Sequence, residues 1–144
     1  MKLFTIGFTR TSAESFFERL RQAGVRRLVD VRLNNASQLA GFTKRDDLRY
    51  FLKTIGNIDY VHRLELAPTQ ELLDAYRKQK CSWSSYEQRF LDLIAKRQIE
   101  ATVRRGELEA ACFLCSEAVP DRCHRRLVAE YFRAKWQGVE VTHL

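Results

Sequence analysis

The segment Cys115-Ser-Glu117-Ala-Val-Pro120-Asp121-Arg122-Cys123-His124-Arg125 gathers thiols, carboxylates, an imidazole and guanidinium groups into one short stretch. Three chemistries fit those types. In the first, Cys115 or Cys123 is a nucleophile, His124 or His62 its base, and Glu117 an orienting group or acid. In the second, Cys115, Cys123 and His124 bind a metal. Their Cys-x7-Cys-His spacing lacks the usual close pair and needs a fourth ligand from elsewhere, so no metal and no cofactor is expected. In the third, both thiols are small core hydrophobes, and His124 and Arg125 only cap and ion-pair.

Asp121 reads as the N-cap of a helix, which places Arg122, Cys123, His124 and Arg125 in its first turn. Free N–H groups and the positive end of the helix dipole suit that turn to an anion. The same field, with the arginines, would lower the pKa of Cys123. Upstream, Asp30-Val-Arg32 puts an acid and a base on one side of a strand end. Either they form an anchoring ion pair, or Arg32 holds a substrate anion while Asp30 positions it or acts as acid or base.

Short apolar runs alternate with helical periodicity along the chain, and these elements must position the reactive groups. Leu3 to Gly7, Leu28 to Val31, Ile58 to His62, Ala110 to Cys115 and Val139 to Thr142 read as strands. Helices are expected after capping boxes at Thr11-Ser-Ala-Glu14 and Ser84-Ser-Tyr-Glu87, after Thr43, and from about Thr69 to Lys80. Glycines 24, 56, 106 and 138 are expected to end helices. The inner faces carry Phe16, Phe17 and Leu20; Leu48, Phe51, Leu52 and Ile55; Leu72, Leu73 and Tyr76; Tyr86, Phe90, Leu93, Ile94 and Ala101; and Leu127, Val128, Tyr131 and Phe132.

This alternation predicts a single three-layer α/β domain over residues 1–144. Its sheet is mainly parallel, with about five strands and helices on both faces. Ligands of such sheets bind beyond the carboxyl ends of the strands. Gly7, Thr9 and Arg10, then Asp30 and Arg32, then His62 and Glu65, then Cys115 and Glu117, lie at or just past the ends of successive strands. The expected catalytic set is Cys115, Glu117, His124 and Asp30. The expected substrate-binding set is Arg32, Arg125, Cys123, His62, Gly7, Thr9 and Arg10.

The chain has 144 residues and a net charge of +7, which favours an anionic partner, either a phosphorylated small molecule or nucleic acid. The basic pairs Arg26-Arg27, Arg104-Arg105 and Arg125-Arg126 are dispersed, so a merely solvated basic surface accounts for the charge equally well. The N-terminal apolar run is too short for a signal peptide, and no run approaches the ~20 apolar residues that cross a bilayer. A cytoplasmic protein with free thiols and no membrane partner is expected. Oligomeric state is not indicated. Cys112, inside a strand, reads as core.

Taken in order, Thr5-Ile-Gly7, Leu28-Val-Asp-Val-Arg32, Tyr60-Val-His62, Leu114-Cys-Ser-Glu117 and Cys123-His-Arg125 resemble the domain-of-unknown-function 488 family over nearly the whole chain. The resemblance implies matching positions at Gly7, Asp30, Arg32, Ser37, His62, Cys115, Glu117, Cys123, His124 and Arg125, and it names no activity. Asn35 and Leu66-Ala67-Pro68 depart from the family's proline and Leu-Gly-Gly, so two loops of the crevice differ. A weaker likeness links Asp-Val-Arg to rhodanese-type domains. Their sulfurtransferase and phosphatase cradle wants Cys-x5-Arg, whereas six residues separate Cys115 from Arg122, and Pro120 removes a loop N–H. The first reading is an enzyme for an anionic substrate, worked by a Cys/Glu/His/Arg crevice. The alternatives are a non-catalytic nucleic-acid-binding or regulatory module, which the charge and Trp83 would serve, and rhodanese-like chemistry.

Overall fold

Every residue of Ala111–Cys115 is buried, and all of Lys2–Gly7 but its first residue is buried too. Strands with no polar alternation belong in the middle of a sheet covered on both faces. The computed structural model, which describes residues 1–36, 41–117 and 119–144, places them there. Five parallel strands, β1 (Lys2–Gly7), β2 (Arg27–Asp30), β3 (Asp59–His62), β4 (Ala111–Cys115) and β5 (Glu140–His143), lie in the order β3-β2-β4-β1-β5. The register pairs Gly7 with Cys115, Asp30 with Leu114 and Asp30 with His62.

Among the described residues six α-helices connect the strands: α1 (Ala13–Ala23), α2 (Arg45–Gly56), α3 (Gln70–Arg77), α4 (Trp83–Arg97), α5 (Ile99–Thr102) and α6 (His124–Lys135). Phe16, Phe17 and Leu20 of α1 and Leu48 and Leu52 of α2 pack with Phe4, Ile6, Leu28, Cys112 and Leu114 on one face of the sheet. Leu72 of α3, Phe90 and Ile94 of α4, and Leu127, Val128 and Phe132 of α6 pack with Leu3, Val29, Phe113 and Cys115 on the other. The domain is therefore the three-layer α/β arrangement the alternation predicts. Among the described residues no helix is long and apolar enough to cross a membrane.

Several helix ends differ from expectation. The cap of α1 is Ser12, whose hydroxyl accepts the Ser15 N–H at 3.1 Å, and that of α4 is Ser82, which accepts from Ser85. In each case a neighbouring hydroxyl, Thr11 or Ser84, offers nearly the same pattern, and the extended backbone at the true cap decides between them. Thr43 closes a short 3-10 turn, and α2 starts at Arg45. Gly106 does not end the long helix. Gln98, in the left-handed region at φ 52°, stops it after Arg97. That break turns Ala101 to solvent and buries Ile99 instead. Ile55 is also exposed. Asp121 is not the cap of α6: Pro120 accepts the Cys123 N–H in a preceding turn, and Cys123, extended at φ −137°, is the N-cap.

The connections after β1 and β2 run to α1 and α2 on one face, and the connection after β4 runs to α6 on the other. The carboxyl end of β4, flanked by β1 and β2, is therefore a topological switch point, where diverging loops leave a crevice. Cys115 is the last residue of that strand.

Candidate functional site

The loop leaving Cys115 is fastened to the end of β1. Ser116 carbonyl accepts the Phe8 N–H at 3.3 Å, the Thr9 N–H at 3.0 Å and the Thr9 hydroxyl at 2.6 Å. The next carbonyl, of Glu117, accepts from Arg125 Nη1, while Arg125 Nε donates to Thr5 Oγ1 at 3.3 Å. A Cβ on Gly7 would lie 1.6 Å from that Glu117 oxygen and 2.7 Å from Arg125 Nη1. Glycine stands at this position so that the loop can come down onto β1. Gly7, Thr9 and Arg125 therefore build the loop, and none of them lines the clefts described below. Arg125 is fully buried, which corrects its reading as a substrate contact.

Across the crevice, His124 stands at the start of α6 with its ring held at both nitrogens. Nε2 lies 2.7 Å from Val31 carbonyl, and Nδ1 lies 3.4 Å from Cys115 Sγ. A carbonyl only accepts, so Nε2 carries a proton and Nδ1 is the atom left to exchange one with the thiol. Phe90 packs its ring at an angle to the imidazole, with centroids 5.5 Å apart. Cys123 brings a second sulfur: Cys115 Sγ, Cys123 Sγ and a His124 ring nitrogen all lie within 4.8 Å of one another.

These contacts separate the two thiols. Cys115 is held well below the usual thiol range, first by the S–H hydrogen bond Cys123 gives it and then by His124 and Arg125; burial opposes them and loses. Cys123 is pushed up by its own burial and by the hydrogen bond and charge it shares with Cys115. Burial works against the His124 imidazolium, but the Cys115 thiolate and the Val31 carbonyl outweigh it and raise its pKa. Both shifts run in the direction that favours moving the Cys115 proton onto His124 Nδ1. Burial pushes Cys112, inside the sheet, up against the smaller opposing pull of Arg125 and Arg19, as expected for a core cysteine.

The pair opens on a cleft of about 640 Å³, the size of a small-molecule site. Leu73, Tyr76, Trp83 and Tyr86 form one wall, and Arg77, Arg122, Glu117 and Asp121 also line it. A second cavity of about 240 Å³ shares Cys115, Ser116 and His124 and is lined by Phe8, Arg32, Asn34 and Pro68. Leu73, Tyr76, Arg77 and Tyr86 come from the α3–α4 side of the long crossover between β3 and β4. Sequence reading placed Leu73, Tyr76 and Tyr86 on helix faces, did not single out Arg77, and missed the cleft. Aromatic or basic residues at the end of α3 and the start of α4 were the signal available.

Arg32 reaches the smaller cavity from a rigid mount. Its Nε and Nη2 donate to the two Asp30 oxygens at 2.9 and 2.8 Å, Nη2 also donates to Thr43 carbonyl at 2.7 Å, and the guanidinium sits 5.3 Å over the Phe8 ring. Nη1 has no hydrogen-bond partner among the described residues. Asp30 is fully buried and also accepts from the Arg32 N–H and the Tyr60 hydroxyl. Its lone pairs are occupied and it lines neither cavity, so it anchors Arg32 and is not placed to move a proton. His62 is a brace as well: Nε2 donates to Arg32 carbonyl at 2.6 Å, and Nδ1 accepts from Asn35 Nδ2 at 3.1 Å. Arg10 sits on an exposed turn at φ 58° and lines neither cavity. Glu117 is exposed at the cleft. Ser37 lies outside the described residues.

The fold also answers the metal question that spacing left weak. Two sulfurs and an imidazole nitrogen, gathered within 4.8 Å, are close enough to share a soft ion, with the fourth position left to another donor.

Fold and site together define a parallel α/β domain with a thiol–imidazole pair at the switch point of its sheet. The chain belongs to the DUF488 family: the family model, described as domain of unknown function DUF488, matches residues 12–132. No curated protein and no solved structure matches the chain.

Proposed function

We propose that this protein is an enzyme in which the Cys115 thiolate attacks an anionic small-molecule substrate and His124 handles the proton. The carrying observation is the 3.4 Å contact between Cys115 Sγ and His124 Nδ1, with Nε2 of the same ring held on Val31 carbonyl. A base that is itself oriented by a third group is the arrangement covalent catalysis needs. Arg77 and Arg122 on the cleft, and Arg32 Nη1, which has no hydrogen-bond partner among the described residues, favour a negatively charged substrate. Glu117 is the carboxylate nearest in sequence to the nucleophile and lines the same cleft, where it can protonate a leaving group.

The test compares thiols within one chain. Iodoacetamide at pH 7 should alkylate Cys115 faster than Cys81, which is half-buried in a connection. Peptide mass spectrometry reads both sites. Inorganic phosphate or a nucleoside monophosphate should slow the reaction at Cys115 alone. His124→Ala should slow it as well, with the circular dichroism spectrum unchanged. If Cys115 reacts no faster than Cys81, the thiol is structural and the proposal fails.

A further inference from the structure

Attack by Cys115 and proton transfer by His124 leave one reactive group without a task. Cys123 faces the same cleft, is almost fully buried, and holds its sulfur within 4.8 Å of both partners. It is fixed there by the turn that ends in the Cys123 N–H bond to Pro120 carbonyl, by the Arg126 N–H bond to Cys123 carbonyl, and by the start of α6. A second thiol is not what hydrolysis of an acyl or phosphoryl adduct requires, since water does that. It is what displacement of a sulfur-bound adduct requires. A disulfide has its sulfurs about 2.05 Å apart, so the two cysteines need close by less than about 3 Å to join.

We infer that Cys115 and Cys123 form a dithiol that reduces the disulfide bond of an anionic low-molecular-weight substrate, Cys115 attacking and Cys123 resolving. This rests on Cys115 being the nucleophile. The cleft, at about 640 Å³ and lined by Arg77 and Arg122, has room for a carboxylate-bearing disulfide and is far larger than a peroxide would need.

The exchange balances. The Cys115 thiolate attacks one sulfur of R–S–S–R′, forming Cys115–S–S–R and expelling R′S⁻, which takes the proton from His124 Nδ1. The bare Nδ1 then accepts the Cys123 proton. The Cys123 thiolate attacks Cys115 Sγ, the Cys115–Cys123 disulfide forms, and RS⁻ leaves with the proton from His124. Two electrons pass from the cysteine sulfurs to the substrate, which departs as two thiols. An external dithiol reductant restores the pair by the reverse exchange.

The probe is oxidised glutathione added to the fully reduced protein, followed by intact-mass and peptide analysis. The wild-type chain should lose two hydrogens, link Cys115 to Cys123 and carry no lasting adduct. Cys123→Ser should hold a glutathione mixed disulfide on Cys115 that lives at least about tenfold longer than in the wild type. Cys115→Ser should form no adduct at Cys123 faster than at Cys81. If the wild type accumulates the adduct as Cys123→Ser does, while Cys115 remains the thiol iodoacetamide alkylates fastest, the resolving role is wrong and the nucleophile stands. If Cys115 is no faster than Cys81 toward iodoacetamide, both fail. Oxidation by hydrogen peroxide but not by the disulfide would overturn the substrate assignment. One retained equivalent of zinc that blocks both thiols would overturn the dithiol itself.

Discussion

Replacing Gly7 with alanine tests the frame of the site by adding one methyl group. Gly7 is not in a left-handed conformation; only Gly24 and Gly138 have positive φ among the described glycines. Any cost must therefore come from space. The added Cβ would lie 1.6 Å from the Glu117 carbonyl oxygen, and contacts under 3.0 Å are essentially never seen, so the loop must retreat by at least about 1.4 Å. That movement breaks the bond from Arg125 Nη1 to Glu117 carbonyl. Arg125 is fully buried, and its Nη2 has no hydrogen-bond partner among the described residues. Losing a hydrogen bond to a charged group costs about 1.5–3 kcal/mol, and overpacking adds roughly 1–3 kcal/mol. Gly7→Ala should therefore destabilise the domain by about 3–5 kcal/mol and lower Tm by roughly 10 °C. Scanning calorimetry reads the shift, and alkylation of Cys115 reads the displaced loop. Gly106→Ala is the control: its Cβ meets nothing within 4 Å, so Tm should hold or rise slightly. A Gly7→Ala protein whose Tm lies within about 2 °C of wild type would refute the close approach of loop and strand.

The remaining predictions follow from the same geometry. Below pH 9, where an ordinary thiol loses about tenfold in alkylation rate per unit, Cys115 should lose less. Its folded pKa lies below the normal one, so the rate falls only as the thiolate protonates at lower pH; the groups in play are Cys123, His124, Arg125, Arg32 and Tyr86. Cys123→Ala removes the largest contribution and should move the inflection upward. Asp30→Asn leaves the buried Arg32 without its two-oxygen partner and should cost about 3–5 kcal/mol in urea unfolding. Arg77→Gln with Arg122→Gln should leave stability within ±0.5 kcal/mol while weakening phosphate protection of Cys115, and the residual protection should depend less on salt.

The architecture was legible because the apolar runs are short and the helical stripes between them are clean. Runs such as Cys112-Phe-Leu-Cys115, with no polar alternation, already specify strands covered on both sides. The ends were less legible. Ser12 against Thr11 and Ser82 against Ser84 are choices between neighbouring hydroxyls, and Cys123 displaces the better capping residue Asp121; all three are settled by backbone turns that no local propensity encodes. Gln98 in the left-handed region is a further case, since glycine is the residue that normally signals that conformation. For the site, sequence order correctly identified the strand ends and the residues that follow them. It could not say which way each side chain turns. Gly7, Asp30 and His62 end their strands and Arg125 lies in the first turn of α6, yet all four point into the frame. The wall formed by Tyr76, Arg77, Trp83 and Tyr86 comes from a crossover remote from every motif in sequence.

That division between frame and reacting groups has an electrostatic consequence. Two guanidinium groups are buried near Cys115, and they are compensated differently. Arg32 is neutralised by Asp30 at 2.8 Å. Arg125 forms no ion pair with a carboxylate among the described residues and is held by a hydroxyl and a carbonyl. A buried cation without a counter-charge is costly, and Arg125 favours the Cys115 thiolate, after Cys123 and His124. The residue that pins the loop through Glu117 therefore also supplies part of the field that ionises the thiol at the other end of that loop. Gly7 permits both by letting the loop approach. A change at Gly7 or Arg125 would alter the thiol without touching it, and so residues that face away from the cleft belong to the same device as those that line it.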